Sequence, residues 1–329
     1  MKIIPHSFPA ISMDDYKGLK DLFEKEYVGP DQNLNEKLKI KIKKYVASKH
    51  IHITPSGSIA LLLALKYAGV QKNDEVIMTA INCWSVYNAL IFMGAFPVIC
   101  DVKGAGDFRA SYDTIQRKIT KKTKAIILTH MYGELFDLKD ISELANQNGI
   151  KIIEDYSTSF GAIYGNGHRV GQLSDFTIGS FGSTKPLTGG IGGFFASKQL
   201  SIENLGISEL PILNINISSL NQKLLIMQFE KVEEIKYAKS ELIRFYSRFV
   251  NMWGNNNDRM FRFLTFEDIS DLLEHSRNYK IAIDARNSVQ PNIAKELNCD
   301  LDNAMNFKTY NSIPFHLKAY TEFKKGGLL

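Results

Sequence analysis

The sequence predicts an α/β protein: a mostly parallel sheet with helices on both faces, followed by a smaller C-terminal unit of mixed helix and strand. Three observations carry that reading. From His50 to about Lys198, short apolar strand-like runs alternate with segments of helical period, the mark of repeated strand–helix–strand units. The run KIIED reads as a buried parallel strand that delivers acids to its carboxyl end, where open α/β sheets place their ligands. After about Glu203 the charge and the pattern change, which sets the expected division at residues 1–205 and 206–329.

The elements follow in order. An extended lead-in precedes an amphipathic helix, Asp14–Glu26, stopped near Gly29-Pro30. A second helix, about Leu34–Ala47, leads to strand His50–Thr54. The apolar run of SGSIALLLALKYAG is a helix entered through small hydroxyl residues and glycine, and it leads to strand EVIMTA. A helix over Val86–Met93, strand PVICDV, helix Tyr112–Ile119, strand AIILTH, helix LKDISELANQNG and strand KIIED complete the alternation. FTIGSF and GGFFAS form a hairpin-like close. Beyond them, residues 213–249 read as one long helical stretch with apolar residues at helical spacing, followed by an irregular tail.

The bulk properties narrow the class. At 329 residues the chain suits one large domain and a smaller one, with an ample core. The net charge of +5 is mild, and the lysines of LKIKIKKY are interleaved with apolar residues as on the solvated face of a helix. No nucleic-acid surface is expected from them. Three cysteines, Cys83, Cys100 and Cys299, are widely spaced and make neither a disulfide framework nor a zinc site, which fits a reducing cytoplasm. The start of the chain lacks the pattern of a signal peptide, and the longest apolar stretch, near Ala89–Cys100, is interrupted by Gly94 and Pro97, so no membrane span is expected.

The chemistry gathers in three places. Lys185 stands in SFGSTKPLTGGIGG among small residues and ahead of four glycines within five positions, which let the backbone approach closely whatever sits above the amine. Asp155 ends the strand KIIED. Ser56-Gly57-Ser58 opens a helix, where free N–H groups and the helix dipole make a ready anion site. An amine, a strand-end carboxylate and a phosphate cradle are what pyridoxal phosphate requires.

The phrases SGSIALLLAL, GAFPVICDV, THMYGELFDL, IIEDYSTSFGA and SFGSTKPLTGGIGG, in that order, resemble the DegT/DnrJ/EryC1/StrS family of sugar aminotransferases. The likeness runs from about Ile4 to the C-terminus. It implies the fold-type-I aminotransferase scaffold, with a seven-stranded sheet, and pyridoxal 5′-phosphate as cofactor. Lys185 matches the family's Schiff-base lysine and acid–base group, and Asp155 its partner to the pyridinium nitrogen. Gly57, Ser58 and Ser180 match donors to the phosphate. Thr158 falls where Gln or His commonly reaches the cofactor's hydroxyl region. An ungapped match puts Cys83 where an aromatic stacks on the ring, with Trp84 next in line: either Trp84 takes over the stacking by a small local shift, or the smaller residue leaves the ring less covered. Asn214 matches an asparagine that crosses to the neighbouring subunit's phosphate, so the resemblance implies a homodimer with shared active sites. Besides Cys83, two positions depart from the pattern: Asn216 replaces the usual arginine, and Ile191 the glutamate of the glycine run. His130 and Tyr132 lie in a matching phrase, and a structural part is expected of His130.

The activity so implied is transfer of an amino group from an amino acid, glutamate for preference, to a nucleotide-linked keto-sugar, in aminosugar or surface-polysaccharide biosynthesis. Two alternatives stay open from sequence. A same-fold sugar dehydratase would replace the lysine, typically with histidine, and Lys185 stands against it. A non-catalytic relative acting as a regulator or binding protein is the other.

Overall fold

The computed structural model describes residues 10–104, 107–164, 167–199 and 215–250, together with short stretches at 2–4, 263–265, 269–275, 279–281, 284–286, 310–313, 317–327 and 329. The leading segment holds strand β1 (Lys2–Ile4) and helices α1 (Met13–Glu24) and α2 (Gln32–Lys43). The alternating part runs β2 (His50–Thr54), α3 (Gly57–Tyr67), β3 (Glu75–Thr79), α4 (Trp84–Phe92), β4 (Phe96–Cys100), α5 (Tyr112–Lys118), β5 (Thr123–Thr129), α6 (Lys139–Gln147), β6 (Lys151–Asp155), β7 (Phe176–Ser180) and β8 (Gly193–Ser197).

These eight-residue-or-shorter strands build one seven-stranded sheet in the order β2-β8-β7-β6-β5-β3-β4. Every pair is parallel except the two made by β8, which runs antiparallel between β2 and β7. Successive residues of a strand face opposite sides. Ile127 and Ile153 accordingly join the cluster under α3 and α4, while Ile126, Leu128 and Ile152 join the one formed with α5 and α6. Both faces are covered, which is why the central strands are apolar at consecutive positions. Helix α3 carries apolar residues on nearly all sides and packs against β7 and β8 with Ala60, Leu61, Leu63, Ala64 and Leu65 buried.

The long helical stretch expected over residues 213–249 is two helices, α7 (Ser219–Glu230) and α8 (Val232–Tyr246). Ser218 is the N-cap of α7, its Oγ accepting the Asn221 N–H at 3.3 Å, so the described residues before it are not helical. The break falls at Lys231, whose Nζ donates to Asp15 Oδ2 at 2.5 Å and to Ser12 Oγ at 3.0 Å. Apolar spacing continues through this residue, where the backbone leaves the helical region at φ −90° and ψ 3°. α7 packs with α1 and α2, and the start of α8, with Val232 and Ile235, continues the same core, while the rest of α8 packs with α10 (Leu317–Lys325) around Leu242, Phe245, Tyr246 and Phe323.

The tail expected to be irregular contains α9 (Ser270–His275) and short strands. β10 (Tyr279–Ile281) pairs parallel with β1, and β11 (Asp284–Arg286), β12 (Tyr310–Ile313) and β9 (Phe263–Thr265) form an antiparallel sheet in that order. Among the described residues, no helix is long and apolar enough to cross a membrane.

Candidate active site

The six strands that run together bring Thr54, Thr79, Cys100, Thr129, Asp155 and Ser180 to one edge of the sheet, and the reversed β8 begins at that edge with Gly193. Gly193 pairs with Thr54 on one side and Ser180 on the other, and Gly192 bridges to Ser56. A Cβ on Gly193 would lie 2.6 Å from the Ser56 carbonyl carbon and 2.7 Å from the Gly57 nitrogen, so only glycine lets this strand pass against the start of α3.

That helix start is built as an anion cradle. Thr54 Oγ1 donates to the Ser56 carbonyl at 2.9 Å, and Ser56, extended at φ −161° and ψ 163°, caps α3 by accepting the Ile59 N–H at 3.2 Å. The cap serves Ile59 and leaves the preceding amides of Gly57 and Ser58 for another acceptor. No acidic side chain occupies the first turn. A Cβ on Gly57 would stand 2.8 Å from Ser180 Cβ, 3.3 Å from Ser180 Oγ and 3.4 Å from Ser157 Oγ. Gly57, Ser157 and Ser180 thus converge on one small space at the positive end of a helix.

Asp155 ends β6 with 4% of its surface exposed. Its Oδ1 accepts the Ser157 N–H at 2.9 Å, its Oδ2 accepts from Thr129 Oγ1 at 3.3 Å, and its carbonyl accepts the His130 N–H at 3.0 Å. Ser157 therefore touches both the cradle and the carboxylate. Thr158 is buried, and its hydroxyl donates to the His130 carbonyl at 2.7 Å, a contact to the backbone at the foot of the site.

Lys185 is half-buried in the loop between β7 and β8. The loop is closed at its base, where the Phe181 N–H donates to the Gly192 carbonyl at 2.8 Å, and across its middle, where the Gly189 N–H donates to the Phe181 carbonyl at 3.1 Å. The Lys185 N–H donates to the Gly182 carbonyl at 3.0 Å, a tight turn that sets the residue's place. Asn221 Nδ2, on α7, donates to the Gly189 carbonyl at 2.7 Å and fixes the loop from outside the sheet. The glycines have steric work here: Gly190 and Gly192 take φ values of +80° and +140°, where side chains are disfavoured.

Trp84 is the first residue of α4, 51% exposed, with its ring edge-on to Tyr87 at 6.2 Å. Cys83 is the residue before the helix, exposed, and takes a hydrogen bond from Ser85 Oγ at 3.1 Å. Ile191 is 52% exposed at the tip of the glycine loop, and Asn216 is exposed before α7. Asn214 lies outside the described residues, as does Cys299. His130 is fully buried between β5 and a 3₁₀ turn, Met131–Gly133, in which Tyr132 takes the left-handed φ of +54°. The structure thus brings Lys185, Asp155, Gly57, Ser58 and Ser180 to one sheet edge, with Thr158 three residues past Asp155 and bonded to the His130 carbonyl, and Trp84 beyond β3 at the same edge. Sequence reading missed Thr129, Ser157 and Asn221. Ser157 had a local signal, since an amide two residues after an aspartate is the natural donor of an Asx turn.

The chain belongs to the DegT/DnrJ/EryC1/StrS aminotransferase family, whose sequence profile matches residues 19–326. It is a pyridoxal 5′-phosphate-dependent sugar aminotransferase of fold type I. The GDP-perosamine synthase of Vibrio cholerae is 28% identical over 258 residues, covering 74% of this chain and 70% of the relative. That of Escherichia coli O157:H7 is 26% identical over 265 residues, covering 76% and 72%. Among solved structures, the sugar aminotransferase Spr1654 of Streptococcus pneumoniae in its PLP form superposes with a TM-score of 0.83 at 19% identity, over 99% of this chain and all of that one.

The residues present suit this cofactor. The space at Gly57 that a single Cβ would fill is lined by hydroxyls and helix-start amides, as a phosphate needs. The carboxylate of Asp155 is buried at a strand end and held by two donors, which suits a cationic ring nitrogen.

Proposed function

We propose that the chain transfers an amino group from an amino acid, glutamate for preference, to the ketone carbon of a nucleotide-linked sugar, for aminosugar or surface-polysaccharide biosynthesis. The relatives named for GDP-perosamine support the nucleotide-sugar class. The observation that carries the site assignment is Ser157, whose Oγ stands 3.4 Å from where a Gly57 Cβ would sit while its N–H bonds Asp155 Oδ1. Cradle and carboxylate are therefore parts of one pocket.

The cofactor, when bound, supplies an electron sink that makes a proton on the adjoining carbon labile. The chain's residues do the rest. Gly57, Ser58 and Ser180 anchor the phosphate. Asp155 keeps the ring nitrogen protonated by its negative charge in a dry site. The Lys185 amine would hold the cofactor and, when free, would be the base that takes a proton from the donor's α-carbon and the acid that returns one on the sugar side. Trp84 would stack on the cofactor ring, and Thr158 would lie near its hydroxyl region. We further infer a cytoplasmic homodimer in which Asn214 reaches the partner's phosphate, with residues 1–205 forming the cofactor domain and 206–329 the small one. Lys185 weighs against the dehydratase reading.

The test is a panel of nucleotide-linked keto-sugars incubated with the enzyme, pyridoxal phosphate and glutamate, read by mass for ketone-to-amine conversion. Conversion of at least one member, lost in Lys185→Ala, is expected. Wild-type protein that binds cofactor yet aminates no member, with any amino donor, would overturn the substrate class.

A further inference from the structure

Glu154 is a fully buried carboxylate that the proposed chemistry does not use. It precedes Asp155 on β6, so the two side chains leave opposite faces of the sheet. Its Oε1 accepts from His130 Nε2 at 2.8 Å and Tyr164 OH at 2.7 Å, and its Oε2 accepts from the Gly171 N–H at 2.7 Å and Ser174 Oγ at 2.9 Å. Four donors from three separate segments meet one side chain. Burial alone pushes this carboxyl up, but the hydrogen bonds from His130, Tyr164 and the Gly171 amide outweigh it and hold the group below the ordinary glutamate range.

His130 turns this anchor toward the active site. Its Nδ1 accepts the Phe136 N–H at 3.2 Å, so the ring is the neutral tautomer with its proton on Nε2, aimed at Glu154. Its backbone N–H donates to the Asp155 carbonyl at 3.0 Å. Its carbonyl accepts from Thr158 Oγ1 at 2.7 Å and from Ser159 Oγ. The edges of the Tyr156 and Tyr164 rings close on the imidazole, with centroids 6.4 and 6.2 Å away. One histidine thus joins the end of β5, the carboxyl end of β6 and the turn carrying Ser157 and Thr158.

We propose that Glu154 is a positioning residue of the active site, which through His130 holds Asp155 and the Ser157–Thr158 turn in place against the cofactor. The proposal rests on Asp155 being the partner of the cofactor ring. Glutamine cannot replace Glu154 here. An amide nitrogen at the Oε2 position faces the Gly171 N–H, donor against donor. At the Oε1 position it faces His130, which can accept only by giving its Nδ1 to a proton and so losing the Phe136 N–H. Either way a buried donor is left unpaired.

The experiment is amide hydrogen exchange on the full chain, with and without pyridoxal phosphate, comparing wild type with Glu154→Gln and Glu154→Asp. The aspartate variant keeps the charge but is one methylene too short to reach both donor pairs, and it serves if the glutamine variant does not fold. The amides of His130 and Ser157 report the two bonds that hold Asp155, and that of Ile127, mid-strand in β5, reports global opening. We expect the His130 and Ser157 amides to exchange about ten- to a hundredfold faster in the variants, a larger factor than at Ile127, which reads the loss of global stability alone. In the loaded enzyme kcat falls by about tenfold or more, while KM for the sugar changes little. Exchange at His130 and Ser157 at the wild-type rate, or faster only in step with Ile127, overturns the proposal, and so does faster exchange with wild-type kcat. Failure of the enzymatic reading is separately visible, as wild-type protein that takes up no cofactor, and leaves the exchange result on cofactor-free protein standing on its own.

Discussion

Replacing Gly57 by alanine tests the phosphate cradle with the smallest possible probe. The new Cβ would fall 2.8 Å from Ser180 Cβ, whereas carbon atoms settle at about 3.5–4.0 Å, so the two must part by about 0.7 Å or more. Neither side yields readily. Ser180 is fixed by its pairing with Gly193, and the next residue by the Phe181–Gly192 hydrogen bond of 2.8 Å. The start of α3 is fixed by the Ser56 cap. Gly57 does not occupy the left-handed region, so alanine meets no backbone penalty, and as a better helix former it recovers up to about 1 kcal/mol. Overpacking costs about 1–3 kcal/mol. The net cost to the cofactor-free protein is about 0–3 kcal/mol, so its Tm should fall by several degrees at most. The distortion falls on the cradle, so cofactor affinity should drop about ten- to a hundredfold at about 1.4 kcal/mol per decade. Absorbance titration with pyridoxal phosphate gives the affinity, and melting with and without cofactor gives the loss of ligand-linked stabilisation. Wild-type affinity in Gly57→Ala would refute the placement of the phosphate at this helix start.

Three further outcomes follow from other contacts. Asp155→Asn keeps an acceptor for the Ser157 N–H and a partner for the Thr129 hydroxyl, so it should fold and bind cofactor but lose about a hundredfold or more in kcat; undiminished steady-state rates would remove Asp155 from its role. Gly179→Ala sets a Cβ 2.1 Å from the buried Phe194 ring and should destabilise by about 3 kcal/mol, measured by denaturant unfolding, whereas an unchanged midpoint would mean that strand and ring can part freely. Glu154, held below its ordinary range in the folded protein, contributes stability that is fully present above its unfolded pKa of about 4.3 and is lost as pH falls through the lower folded value. The acid limb of the stability–pH curve should therefore flatten in Glu154→Gln, and an identical limb would show that the carboxyl titrates alike in both states.

What the sequence disclosed is what is local along the chain. Consecutive apolar residues in AIILTH and KIIED announced strands covered on both faces. Lys185 among its glycines, and Ser56 before an apolar run, are contiguous patterns whose physics needs no distant partner. Other features are set by residues far apart, and no spacing encodes them. β8 looked like the second half of a hairpin with β7, which it is. Its other neighbour is β2, 139 positions before it by the pairing of Thr54 with Gly193, and that pairing brings Gly192 and Gly193 against Ser56 and Gly57. The tie of Lys231 at the helix break to Asp15 spans 216 positions, while the apolar period runs on undisturbed.

The acid pair Glu154-Asp155 separates the two kinds of information most sharply. Sequence places both at a strand end and favours the second as the cofactor's partner, but side chains that alternate across a strand cannot both serve the same face. The structure gives each its own surroundings. Asp155 keeps two donors, one from a hydroxyl and one from a backbone amide, and retains lone pairs for a cation. Glu154 spends its acceptors on four donors and has little capacity left for a ligand. The division also accounts for the buried His130. Its neutral ring can satisfy Glu154 and the Phe136 N–H at once, while an imidazolium would point a second proton at that amide. A charged His130 would also partly cancel the negative charge that Asp155 presents to the ring from the other face. Holding the histidine neutral therefore lets one residue brace the floor of the site without weakening the field above it.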